Sequence, residues 1–180
     1  MLTGMSRVYK NNTGMTLTEV LIATLLLSIV FLAVSSLYLG SRKLYIASTE
    51  KVILGYELQY ASQHIYKNAM RAIGDEISPP ASSAIQVPDA ETLNININTN
   101  DPLTSDNYSD VITYSYYKSG DTLMFNDGVN PPESLIPKVS VSSVNFEKSG
   151  NTLICYVAAT YGAQSQTIYF ACHPRLATFH

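Results

Sequence analysis

The sequence predicts an α+β chain, in which one long N-terminal helix precedes an antiparallel β-rich head. Three observations lead there. Val20–Leu39 is an uncharged apolar run of about 20 residues. From Leu54 to Ala72, apolar residues return every third or fourth position, as on one face of a helix. Beyond Pro79 and Pro80, short alternating runs are separated by turn residues, as strands are.

The apolar run reads VLIATLLLSIVFLAVSSLYL, with only Thr24, Ser28, Ser35 and Ser36 clearly polar. At about 1.5 Å per residue it spans roughly 30 Å, the thickness of a bilayer's hydrocarbon core. The helix of a soluble protein normally keeps a solvent-facing polar stripe, and this run has none. Arg7 and Lys10 precede it with no acid among residues 1–14, which places that end in the cytoplasm and the head outside. Arg42 and Lys43 oppose this rule, but the residues after them form a separate domain that can be translocated. An ordinary secretory signal is cut after its apolar segment. Here Gly14 comes before it. Cleavage near Ser35, Ser36 or Gly40 is the conventional alternative, and it would discard the helix together with its acid, Glu19.

Glu19 stands at the head of the run, where a charge inside a membrane span is costly and usually functional. A purely local role is also open. An acid suits the positive end of a helix dipole, and Thr16 and Glu19 have the spacing of a capping box. The whole junction is more specific than either feature. A short basic leader ends in Gly14, Met15 follows, Glu19 is fifth from the cut, and the apolar run comes next. This pattern resembles the class III leader of type IV prepilins and of type II secretion pseudopilins. The resemblance covers residues 1 to about 45.

The resemblance implies a pilin-like fold, with the helix packed on the sheet of the head. It also implies that a prepilin peptidase cuts between Gly14 and Met15 on the cytoplasmic side and N-methylates Met15. Glu19 would pair with the N-terminal amine of a neighbouring subunit. Pairing lowers the cost of a carboxylate in an apolar core and so favours correct axial register. The implied partners are the peptidase, other pilins or pseudopilins meeting through their N-terminal helices, the inner-membrane assembly platform, and membrane lipid before assembly. The implied location is the bacterial inner membrane, single-pass, and then a pilus or pseudopilus. Many major pilins carry Pro where this chain has Ser36, so nothing here predicts a kink.

The helix is expected to continue to Ile73, from about Thr16, a length of roughly 85 Å at about 1.5 Å per residue. Leu54, Leu58, Ala61, Ile65, Ala69 and Ala72 make its apolar face, while Glu57, Gln59, Gln63, Lys67 and Arg71 fall elsewhere. Gly74 suits a C-terminal cap and Pro79 forbids continuation. His64 and the tyrosines at 45, 56, 60 and 66 read as packing and surface. The expected divisions are a leader at 1–14, a membrane and filament-core helix at 15–41, an amphipathic continuation at 42–74 and an extracytoplasmic head at 75–180.

Within the head, residues 75–110 read mostly as loop, with a strand at Thr92–Asn98. Further strands are expected at 111–117, 122–126, 139–146, 152–161 and 167–172, joined as consecutive antiparallel hairpins. The turns are placed at Lys118–Asp121 and Glu147–Asn151. A hairpin turning between Ala163 and Gln164 would set Cys155 directly opposite Cys172, close enough for a disulfide in an oxidising compartment. Two buried free thiols are the alternative.

Asp101, Asp106 and Asp110 share a loop and are weak calcium candidates. Their spacing is not that of an EF-hand, and a solvated acidic loop fits as well. No nucleophile–base arrangement, phosphate loop or metal spacing points to an enzyme, and no cofactor is expected. The 180 residues carry a formal net charge of −3 and no basic patch, so nothing favours nucleic-acid binding.

Softer cues resemble J-type minor pseudopilins and W-type minor pilins. They are the ELQ of the helix with Arg71 near its end, the strand Asp110–Tyr114, and a late strand ending at Phe146. A minor subunit would act at a filament tip, in initiation of assembly. The competing class is a single-span exported binding or sensor protein that keeps its anchor and its leader. The mature N-terminus separates the two.

Overall fold

The computed structural model describes residues 14–72, 84–98, 111–150 and 152–174. Among the described residues one helix, α1 (Leu17–Ala69), is followed by eight strands. These are β1 (Ile85–Asp89), β2 (Thr92–Asn98), β3 (Val111–Ser119), β4 (Thr122–Asn126), β5 (Glu133–Ser134), β6 (Ser140–Ser149), β7 (Thr152–Tyr161) and β8 (Gln164–Cys172). The chain divides into two compact units, Met1–Tyr45 and Ile46–His180. The α+β class expected from sequence is the one observed.

In the first unit, α1 is long and apolar enough to cross a membrane, and none of its most apolar stretch is buried. Three of its hydroxyl side chains fold back on the helix. Thr24 Oγ1 donates to the Leu21 carbonyl (2.9 Å), Ser28 Oγ to Thr24 (2.8 Å) and Ser36 Oγ to Ala33 (2.9 Å). These polar groups are satisfied inside the helix, as a lipid environment requires.

In the second unit, Leu54, Leu58, Ala61, Ile65 and Ala69 of α1 are buried, with Ala72 just beyond. These are the residues that the helical spacing selects. Glu57 departs from that expectation. It is buried, and its Oε1 lies 3.3 Å from Lys138 Nζ. Its position beside Leu58 brings it onto the packed face, and a lysine from the β5–β6 connection answers the charge. The helix ends earlier than expected. Arg71 N–H donates to Asn68 (3.1 Å) and Ala72 N–H to Ala69 (3.2 Å), tightening the last turn. Ala72 then bridges to Ile97 of β2. Gly74, Pro79 and Pro80 lie outside the described residues.

The strands form two antiparallel sheets where sequence reading joins them as a single hairpin series. One has the order β1-β2-β3-β4-β5 and the other β6-β7-β8. Leu135, Ile136 and Val139 are buried between β5 and β6, so the chain turns into the core there and starts a second sheet. The outer edge of β6 then meets hairpin turns of the first sheet. Val141 N–H donates to Asp121 (2.7 Å) and Phe146 N–H to Ala90 (2.7 Å). In sequence, Pro88 hides β1. The strand sits at a sheet edge with an irregular register after Gln86, where a proline is tolerated.

The β7–β8 hairpin corrects the cysteine geometry. Tyr161 pairs with Gln164 across the two-residue turn Gly162–Ala163, and Gly162 has φ +58°. A two-residue hairpin takes glycine at its first central position, which supplies the positive φ. The register is therefore two residues from the expected one. Cys172 faces Leu153, and Cys155 faces Phe170. The cysteines share a face as diagonal neighbours and are free, buried thiols. Diagonal partners lie about 7–8 Å apart at Cα, beyond the usual disulfide range.

Candidate functional site: the head of the apolar helix

Gly14 and Met15 precede the first turn of α1 and are exposed. Space around Gly14 is open, with no heavy atom within 4 Å of where a Cβ would stand. The helix starts where Val20 N–H reaches the Thr16 carbonyl (3.2 Å). Glu19 closes a capping box on that turn. Thr16 N–H donates to Glu19 Oε2 (2.8 Å), Thr16 Oγ1 donates to the same oxygen (2.9 Å), and Glu19 N–H approaches Thr16 Oγ1 (3.4 Å). The carboxylate is held at the positive end of the helix dipole by its own backbone. Both bonds converge on Oε2. The junction thus presents a backbone bond with a small residue on one side and, one turn later, an oriented carboxylate at the head of an uncharged stretch of helix.

The cysteines and the acidic loop do not join this site. Burial pushes the Cys155 thiol well up and, more weakly, Cys172 up to about 11. Both stay protonated at neutral pH, which makes them poor nucleophiles. Asp101, Asp106 and Asp110 lie outside the described residues. Among the described residues no group of three or more His, Cys, Asp or Glu is placed to hold a metal.

One polar cluster reads in sequence as mere packing. The Tyr116 hydroxyl accepts from Asn68 Nδ2 (2.6 Å) and lies 3.0 Å from His64 Nδ1. His64 also packs edge-on against Phe125, with ring centroids 4.7 Å apart. The hydroxyl can accept from Asn68 while donating to an unprotonated Nδ1 of a neutral His64. Burial lowers the His64 pKa, Lys67 adds to this, and Glu133 opposes it. His64 and Asn68 are one helical turn apart, which sequence shows, but Tyr116 is brought to them only by the sheet.

Residues 9–35 match the family described as the prokaryotic N-terminal methylation motif. The match takes in Gly14 to Glu19 and most of the apolar run, and none of the strands. No curated protein and no solved structure matches the chain. The motif, with the long apolar helix and antiparallel sheets behind it, supports a place among the type IV pilins and pseudopilins, proteins that a prepilin peptidase processes and that assemble with one another.

Proposed function

We propose that this chain is a minor subunit of a type IV pilus or type II secretion pseudopilus, of the J or W type, acting where a filament begins. The peptidase cuts between Gly14 and Met15, and Met15 is N-methylated. Residues 1–14 remain in the cytoplasm. Residues 15–41 anchor the subunit and later pack in the filament, and the residues from 75 onward lie outside the membrane.

The observation that carries the reading is Glu19. It stands on the first turn of an uncharged stretch of helix whose large apolar residues are exposed. Its bonds to Thr16 orient it at the helix end, where the amine of a neighbouring Met15 can reach it once the leader is gone. In lipid-free packing among sister helices an unpaired carboxylate is penalised, so pairing selects one axial register. Thr16 keeps its N–H after cleavage, and the capping box therefore survives maturation.

Mass spectrometry of the mature N-terminus tests the reading. A chain beginning at methylated Met15 is the expected result, and a chain retaining residues 1–14 overturns it. Glu19→Ala is expected to leave cleavage intact and to lower incorporation into filaments, read as the ratio of sheared to membrane-bound subunit. Normal incorporation of that variant would remove the register role.

A further inference from the structure

His64, Asn68 and Tyr116 all belong to the second unit and join the end of α1 to β3. Tyr116 is sealed from solvent, Asn68 is buried beside it, and His64 is half-buried. The Tyr116 oxygen is the common partner. Asn68 Nδ2 stands 2.6 Å from it and His64 Nδ1 3.0 Å from it. Aromatic rings hold the imidazole in place. The Phe125 ring of β4 lies 4.7 Å away at 78°, and that of Tyr60, one turn earlier on α1, lies 6.0 Å away. A phenol has one proton to donate. Burial pushes the Tyr116 hydroxyl far above the ordinary tyrosine value, so that proton stays where it is. Only the direction in which it points can change.

We propose that these three side chains form a proton-sensing relay, in which one proton gained at His64 Nδ1 reverses both hydrogen bonds and turns over the Asn68 amide. With His64 neutral, Asn68 Nδ2 donates to Tyr116, and Tyr116 donates to Nδ1. A solvent proton bound at Nδ1 makes that nitrogen a donor, and the imidazolium then donates to the Tyr116 oxygen. The Tyr116 O–H loses its acceptor. An unpaired hydroxyl in the core is costly, and Asn68 carries an acceptor within reach. Rotation of its amide brings Oδ1 to the hydroxyl. One charge is gained, at His64, and no other group changes protonation. The relay thus carries an event at a half-buried ring to a buried amide on the last turn of α1.

The groups around the ring set the pH at which this happens. Burial opposes the imidazolium most, Lys67 on α1 opposes it further, and Glu133 on β5 favours it. Among the described residues, β3 and β4 present the uncharged rings of Tyr116 and Phe125 to it. The reversal therefore falls below the ordinary histidine value of 6.5. It depends on nothing in the filament reading.

The test is nitrogen-15 NMR of the full chain in detergent, titrated from about pH 8 to about pH 4, across the ordinary histidine range. His64 Nδ1 should carry no proton at the alkaline end and gain one in acid. The Asn68 side-chain amide signals should shift with the same midpoint. Tyr116→Phe, which removes only the hydroxyl, should leave His64 titrating and uncouple the Asn68 amide from it. Asn68→Asp offers Tyr116 an acceptor without any rotation, so it should raise the proton affinity of His64 about tenfold, or one pH unit. Combined with Tyr116→Phe, the same change should raise it by clearly less, since only the added charge then acts. A protonated Nδ1 at the alkaline end overturns the relay. So does an Asn68 amide that ignores the His64 titration in the unmodified chain, or an Asn68→Asp effect of equal size with and without the hydroxyl. Where Asn68→Asp does not fold, the unmodified chain and Tyr116→Phe decide the matter by themselves.

Discussion

In the first stretch of α1, Leu25, Leu27, Phe31 and Leu32 are all more than half exposed, whichever side of the helix they occupy. In the second, Leu54, Leu58, Ala61 and Ile65 are sealed from solvent while Tyr56 and Tyr60 between them are not. One regular secondary structure is thus written for two solvents. A helix that is apolar all round is written for lipid or for other helices of its kind, and a helix with one apolar stripe is written for a sheet. The difference teaches that hydrophobic content alone says little here. Its angular distribution says which medium each stretch is built for.

The comparison can be broken most directly by equal truncations in the two stretches. Ile65→Ala should cost the head about 2–5 kcal/mol, through lost burial and a residual cavity. Ile29→Ala should change head stability by less than about 0.5 kcal/mol. Denaturant titration of the detergent-solubilised chain, followed by tyrosine near-UV circular dichroism, measures both. Similar losses at the two sites would erase the distinction.

A charge sharpens it from the other side. Ile29→Arg, near the middle of the apolar run, should raise the cost of membrane insertion by about 3 kcal/mol. The readout is the membrane-integrated fraction in a protease-protection assay.

Smaller effects are expected where α1 meets the β7–β8 turn. At Gly162 a Cβ would collide with the Glu50 carboxylate, and the φ of +58° is strained for any other residue. Gly162→Ala should cost about 1–3 kcal/mol. Glu50→Ala in the same chain should relieve the collision and leave the backbone strain, so rescue should be partial. The same denaturant titration reads both variants.

The smallest expected effect is a pH dependence. The folded head holds His64 neutral, with its pKa lowered below the ordinary 6.5 by burial first and Lys67 second. The unfolded chain then binds the proton more readily than the folded one. The stabilisation is complete above about pH 6.5 and is lost as the pH falls through the lowered folded value. His64→Gln should flatten the slope of stability against pH in that window.

The capping box at the head of α1 is legible in the sequence because its chemistry is local. Gly14, Met15, Thr16 and Glu19 lie within two helical turns, and the capping-box spacing is a property of the chain alone. The buried face of α1 is legible because spacing by three and four is geometry the helix imposes. Strands β2, β4 and β7 have the ends that their alternating runs indicate. β1 is not legible, because proline argues against a strand until one knows that the strand is an edge. The β7–β8 register differs from the expected one although a signal for it exists. Gly162 is the glycine that a two-residue hairpin wants at its first position, and reading the turn there places Cys172 opposite Leu153.

By itself, then, the sequence determined the membrane-length helix, the capping box at its head, the helical face that is buried and the α+β class. All are set by period and by neighbours close in the chain. Only the tertiary structure decided that the strands split into two sheets, that Glu57 is buried against Lys138, and that His64, Asn68 and Tyr116 meet. Each depends on which distant strand or side chain arrives beside a given residue. That is settled by packing the whole core at once, and no local spacing encodes it.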